Sequence, residues 1–112
     1  LVDTTIENGC AWIMPGVHRQ GTLSHWQTDL GYECLTDTSS ALPIEAKAGD
    51  VVVFSSLTPH RTGPNLTAGE RKSYILQYAH DPSVLLSKEG DDSTLQNDTD
   101  RQFVVVQAGK YV

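Results

Sequence analysis

Long apolar runs are missing from this sequence. Nothing in its 112 residues approaches the roughly 18 consecutive apolar residues of a membrane helix, so no membrane partner is expected. Basic charge is scarce as well. Eight Lys and Arg stand against 14 Asp and Glu, a net charge of −6, which argues against the basic face a nucleic acid would require. Cysteine is limited to Cys10 and Cys34, without metal-type or redox-type spacing. Two free thiols in a reducing cytoplasm are therefore expected. The first residues carry neither a basic n-region nor an apolar h-region, so no secretion signal is expected. On that footing the sequons Asn65-Leu66-Thr67 and Asn97-Asp98-Thr99 are read as chance. The opening "LVDTTIENGC" lacks an initiating methionine and reads like the middle of a strand, and the natural beginning is expected to lie upstream. Repeats, low-complexity tracts and strong helix signals are absent too.

What is present is ordinary globular composition, 38% apolar and 20% charged, at a length suited to one domain over 1–112. Short strands separated by turns run along it. "CAWIM" (10–14) is an apolar run stopped by Pro15-Gly16. Polar, aperiodic residues 15–29 read as a long loop, and "GYECL" (31–35) as a short strand. Leu42, Ile44 and Ala46 alternate with polar residues before a Gly49-Asp50 turn leads into Val51-Val52-Val53-Phe54. In residues 71–79, Arg71, Ser73, Ile75 and Gln77 share one strand face, with Lys72, Tyr74, Leu76 and Tyr78 on the other. Residues 80–100 form a polar loop or weakly helical segment, with the helical potential at Pro82 to Lys88, and Phe103 to Val106 read as a strand or docking segment. The pattern predicts an all-β sandwich, barrel or jelly roll.

Two residues stand out chemically. His60 lies where an apolar run leaves the core, a natural position for a metal ligand. Ten residues separate it from Arg71, whose planar fork suits a carboxylate. Two strands joined by a loop would bring both to one mouth, with the Ser73 hydroxyl on the Arg71 face. A metal ligand beside a carboxylate clamp suits a metal-chelating keto acid. The plainer alternative stays open: a hydrogen-bonded structural histidine and an arginine that blunts a strand. Trp12 and Met14 are read as core or pocket lining rather than cofactor residues, and His80 as a surface residue.

The ordered set "ENGC", "PGVHR", "GDVVVF", His60, "GPN" and Arg71 resembles the phytanoyl-CoA dioxygenase family of Fe(II)/2-oxoglutarate-dependent oxygenases, over most of residues 1–80. The resemblance implies a double-stranded β-helix, a cupin-like jelly roll with iron at its open end. It implies His60 as the distal histidine of a 2-His-1-carboxylate triad, Arg71 as the clamp on the far carboxylate of 2-oxoglutarate, and Thr62 and Ser73 as supporting hydroxyls. The implied reaction is hydroxylation of a small molecule, coupled to decarboxylation of 2-oxoglutarate to succinate.

One departure follows. The family's other two ligands come from a His-x-Asp or His-x-Glu motif N-terminal to the ENGC segment, and neither pattern occurs in these 112 residues. A substitute from His18 or His25 with Asp29 is the weaker alternative. The expectation is a partial jelly roll lacking its N-terminal strands, inactive alone as an oxygenase. A non-catalytic jelly-roll binding or interaction module, or a bare structural remnant, is the alternative. Open sheet edges and an uncovered apolar face lead to a further expectation, a homodimer.

Overall fold

Residues 1–80, 83–86, 93–95, 98–100 and 102–112 are described by a computed structural model, and their regular elements are strands apart from one turn of 3-10 helix at Val17–Gln20. The chain divides into two compact units, Leu1–Tyr74 and Ile75–Val112.

In the first unit the strands are β1 (Ala11–Ile13), β2 (Trp26–Thr28), β3 (Gly31–Glu33), β4 (Leu42–Ile44) and β5 (His60–Thr62). The apolar run predicted over 10–14 supplies β1, the central strand of a three-stranded antiparallel sheet in the order β4-β1-β5. Trp12 faces Pro43 on one side and Arg61 on the other, while Ile13 faces Leu42 and His60. Pro43 has no N–H to give a ladder and is tolerated because β4 is an edge strand. β2 and β3 form a hairpin closed by Asp29-Leu30. Thr28 Oγ1 donates to the Gly31 carbonyl at 3.0 Å, and Gly31 has a φ of 126°. The loop expected over 15–29 is thus partly ordered, because this side-chain turn chemistry brings two polar segments into register.

The "ENGC" and "GPN" motifs turn out to be two halves of one clamp. Gly9 has a φ of 83°, and a Cβ on it would lie 2.5 Å from the Gly63 carbonyl oxygen. Only glycine combines that left-handed backbone with so close an approach. Asn8 accepts from the Thr5 N–H at 2.8 Å and donates to the Asp3 carbonyl at 2.9 Å, fixing the turn before Gly9. The Glu7 carbonyl accepts from Leu66 N–H at 2.9 Å, and the Cys10 carbonyl from Gly63 N–H at 3.2 Å. Cys10 is wholly buried at this junction. The clamp locks the strand that begins at His60 to the strand that carries Trp12.

A second tie holds the first residues to the turn after β4. Thr4 and Ala46 exchange backbone hydrogen bonds of 2.8 and 3.1 Å. Asp3 accepts from Ala48 N–H at 2.8 Å and from Lys47 Nζ at 2.9 Å. The Ala48 N–H first, then the Lys47 ammonium, hold the Asp3 carboxyl below its ordinary 3.8. The same hydrogen bond to Asp3 raises Lys47 above 10.5. A lowered carboxyl pKa stabilises the fold above the unfolded value and ceases to do so as pH falls through the folded one. A raised lysine pKa stabilises below its unfolded value and ceases to do so as pH climbs through the folded one. Asp3→Asn is therefore expected to flatten the acid limb of a plot of Tm against pH. The change should be small, because both side chains are exposed; an acid limb as steep as the parent's would show that the tie contributes nothing.

Two predicted strands do not form ladders. Val51–Phe54 and residues 71–79 pair with no other described segment. Val51 and Val53 are 83% and 87% exposed. The Gly49-Asp50 turn before them does form, with Asp50 Oδ2 accepting from Lys47 N–H at 2.8 Å. β-propensity describes how a residue fits a pleated surface, and a ladder also needs a neighbouring edge.

In the second unit β6 (Val84–Leu86) pairs with β7 (Ser93–Leu95), and β8 (Val106–Gln107) with β9 (Lys110–Tyr111). Strand thus replaces the helical potential read into Pro82 to Lys88 over Val84–Leu86, where cross-strand pairing outweighs a weak local preference. Pro82, Ser87 and Lys88 lie outside the described residues. The strand read over Phe103 to Val106 begins only at Val106, set by the tight turn at Ala108-Gly109 with φ values of 49° and 76°. Among the described residues, no helix is long and apolar enough to cross a membrane.

Candidate functional site

His60 opens β5, opposite Ile13 of the central strand. The chain approaches it through a tight turn, with the Thr58 N–H donating to the Ser55 carbonyl at 2.9 Å and Thr58 itself buried. Met14 N–H then fixes the Pro59 carbonyl at 3.0 Å. His60 Nδ1 lies 2.9 Å from the Thr58 carbonyl oxygen. A carbonyl can only accept, so Nδ1 carries a proton, and Nε2 is the nitrogen that can offer a lone pair. The Phe54 ring packs against the imidazole at 4.7 Å between centroids, tilted by 54°. Orientation by a backbone carbonyl is the usual support of a metal-ligating histidine.

Thr62 follows two residues later on the same strand face, opposite Ala11. Arg61, between them, lies across from Trp12, with its guanidinium carbon 5.6 Å from the indole centroid. This cation–π contact contributes about 0.5–1 kcal/mol at an exposed site. Arg71 is half-buried and donates from Nη1 to Ser73 Oγ at 3.3 Å. The predicted residues therefore group as two pairs, His60 with Thr62 and Arg71 with Ser73. Among the described residues no hydrogen bond or ion pair joins the pairs. Arg71 precedes a segment without a ladder, so no sheet register carries it toward His60.

His60 and Thr62 border a cleft of about 650 Å³, with Trp12 and Met14 on its wall. The reading of those two residues as pocket lining holds. β5 is an edge strand, which lets Arg61 border the same cleft from the other strand face. The smaller hollow, about 170 Å³, contains His25, Tyr32 and Cys34. His25 Nδ1 there donates to the Leu23 carbonyl at 3.2 Å, and its ring meets Tyr32 edge-on at 5.4 Å. Asp29 sits in the β2–β3 turn, so the substitute triad from His18 or His25 with Asp29 does not assemble. Among the described residues, no three His, Cys, Asp or Glu side chains are grouped to hold a metal ion. Among the described residues the donors thus fit one position of an iron site, His60 Nε2, and do not make up a complete ligand set.

Arg61 had no place among the sequence-predicted residues. Its signal lay in its neighbours: it adjoins His60, and antiparallel pairing puts a tryptophan opposite.

A family model described as phytanoyl-CoA dioxygenase (PhyH) matches residues 1–73. The chain belongs to the phytanoyl-CoA dioxygenase family. Every motif of the ordered set lies inside that match, which ends one residue before the first unit does, at Tyr74. Among its curated relatives, a methylphosphonate hydroxylase of Gimesia maris is 34% identical over 74 residues, 66% of this chain and 28% of that protein. A probable phytanoyl-CoA dioxygenase of Caenorhabditis elegans is 33% identical over 86 residues, 69% of this chain and 28% of that protein. Phytanoyl-CoA dioxygenase 1 of rice, Oryza sativa subsp. japonica, is 29% identical over 103 residues, 87% of this chain and 34% of that protein. This member of the family thus spans about a third or less of the length of these relatives. No solved structure matches it.

Proposed function

We propose that this chain carries part of the active site of an Fe(II)/2-oxoglutarate-dependent hydroxylase: His60 as one iron ligand, and Arg71 with Ser73 and Thr62 as the co-substrate clamp. The observation that carries the reading is the hydrogen bond from His60 Nδ1 to the Thr58 carbonyl, which frees Nε2 beside the cleft. Arg71, already oriented by Ser73 Oγ, has a guanidinium suited to a carboxylate. Iron and 2-oxoglutarate, when bound, would supply the oxidising power for hydroxylation. This chain's own residues orient the imidazole and offer a cation for the co-substrate. The remaining ligands, a His-x-Asp or His-x-Glu pair, would come from residues other than these 112, and the fold would be one portion of a jelly roll. A single imidazole holds Fe(II) poorly against water, so the chain alone is expected to be inactive.

Calorimetric titration with Mn(II), with and without 2-oxoglutarate, tests the assignment. Weak Mn(II) binding that disappears in His60→Ala is expected, together with weak 2-oxoglutarate binding that disappears in Arg71→Ala. Heats unchanged by either substitution would sink the site. Tight Mn(II) binding, strengthened by 2-oxoglutarate and lost in His60→Ala, would instead show that the chain completes a ligand set by itself or with a second copy.

The same reading extends to assembly. The ladder-less segments 51–54 and 71–79 would pair with a second copy of this chain when no other strand is offered, giving a homodimer.

A further inference from the structure

We infer that Arg61, backed by the Trp12 ring, is the residue that selects the substrate, and that it takes the oxyanion head of a small organic anion, a carboxylate or a phosphonate. This deepens the hydroxylase reading and rests on it for the anion's role as substrate. The anion site itself stands on separate observations.

Among the described residues Arg61 is in neither of the two salt bridges, which join Lys47 to Asp3 and Lys72 to Glu70. Among the described residues Glu33 is the one carboxylate bordering the cleft, and it makes no ion pair with Arg61. In a chain of net charge −6, an arginine without an acidic partner is a site left open to an anion from outside. The guanidinium carbon lies 5.6 Å from the Trp12 ring centroid, a cation–π contact that favours the guanidinium beside the indole before a ligand arrives. Thr36 and Thr38 also border the cleft, and their hydroxyls bond to no other described residue, leaving them free to donate to the same oxyanion. Trp12, Met14 and Leu35 provide an apolar wall. A cation with neighbouring hydroxyls at one side, and an apolar wall at the other, fits a short organic anion with an apolar body. Arg61 and His60 point to opposite faces of β5 and meet only as lining of the one cleft, where an anion held by Arg61 would extend its body toward the imidazole.

The test is metal-free, so that its outcome is separate from that of the iron reading. Trp26→Phe leaves Trp12 as the only tryptophan, and its indole N–H resonance in a nitrogen–proton spectrum reports on the cleft. Titration with butylphosphonate should move that resonance to saturation, and butanol should not. Arg61→Gln should weaken butylphosphonate binding at least tenfold, with Arg61→Lys intermediate because it keeps charge but loses the fork. Arg71→Ala and the remote Arg19→Gln should bind as the parent does. Retained spectral dispersion in Arg61→Gln confirms that the variant is folded. An unchanged affinity in Arg61→Gln, an equal loss in Arg19→Gln, or an absence of binding to the parent overturns the inference. A loss in Arg71→Ala alone would assign the anion to the co-substrate clamp and overturn it equally.

Discussion

Gly9→Ala is expected to lose more stability than any other single-methyl addition to the first unit. Two penalties combine there. The φ of 83° places a Cβ in left-handed backbone, at about 1–2 kcal/mol. That Cβ would also stand 2.5 Å from the Gly63 carbonyl oxygen and 3.1 Å from the Pro64 carbonyl carbon. Both neighbours are backbone, held by the Cys10–Gly63 and Glu7–Leu66 hydrogen bonds, so neither can swing aside as a side-chain tip would. Overpacking adds about 1–3 kcal/mol. The sum, about 2–5 kcal/mol, is a large share of the ~5–15 kcal/mol that holds a small domain together. Gly16→Ala is the control, because its φ of 81° is nearly the same but nothing lies within 4 Å of the added methyl. Urea midpoints should rank parent, Gly16→Ala, Gly9→Ala, with the second step at least as large as the first. Equal midpoints for the two variants would show that the approach of the ENGC and GPN segments contributes nothing. The clamp also positions β5, so Gly9→Ala should weaken any ligand at His60 or Arg61 without touching either.

The second large effect concerns association. Val51 and Val53 are more than four-fifths exposed, at 83% and 87%, and Tyr74 and Ile75 stand at 80% and 76%. Segments of this composition outside any ladder are templates for another strand. Sedimentation velocity across a concentration series is expected to show a dimer. Val53→Lys, which places a charge where an edge would pair, should weaken association at least about tenfold, or ~1.4 kcal/mol. A parent chain that remains monomeric throughout would refute the homodimer. A Val53→Lys dimer of undiminished affinity would move the contact elsewhere.

Some of this molecule is written locally. The apolar run at 10–14, Pro15-Gly16 after it and the Gly49-Asp50 turn all act within a few residues, and each has its expected consequence in the fold. Family membership was legible for a related reason: the ordered motifs are spelled in the chain itself. Val51–Phe54 was read from the same kind of signal, yet strand propensity specifies no partner, and its ladder did not follow. The site divides in the same way. His60 could be proposed from its place at the end of an apolar run. Arg61 could not, because its meaning depends on a tryptophan 49 positions earlier in the chain that antiparallel register places across from it.

The sequence by itself determined the all-β character, the family, and the absence of a His-x-Asp or His-x-Glu pair within these residues. These depend on composition, short-range turns and residue order. Tertiary structure alone decided that ENGC and GPN form one clamp around Gly9, that His60 Nδ1 meets the Thr58 carbonyl, and that Trp12 and Arg61 face one another beside a cleft. Each of these is a contact set by where the chain returns on itself. Hydrogen bonding and packing act over a few ångströms of space, whatever the separation along the chain.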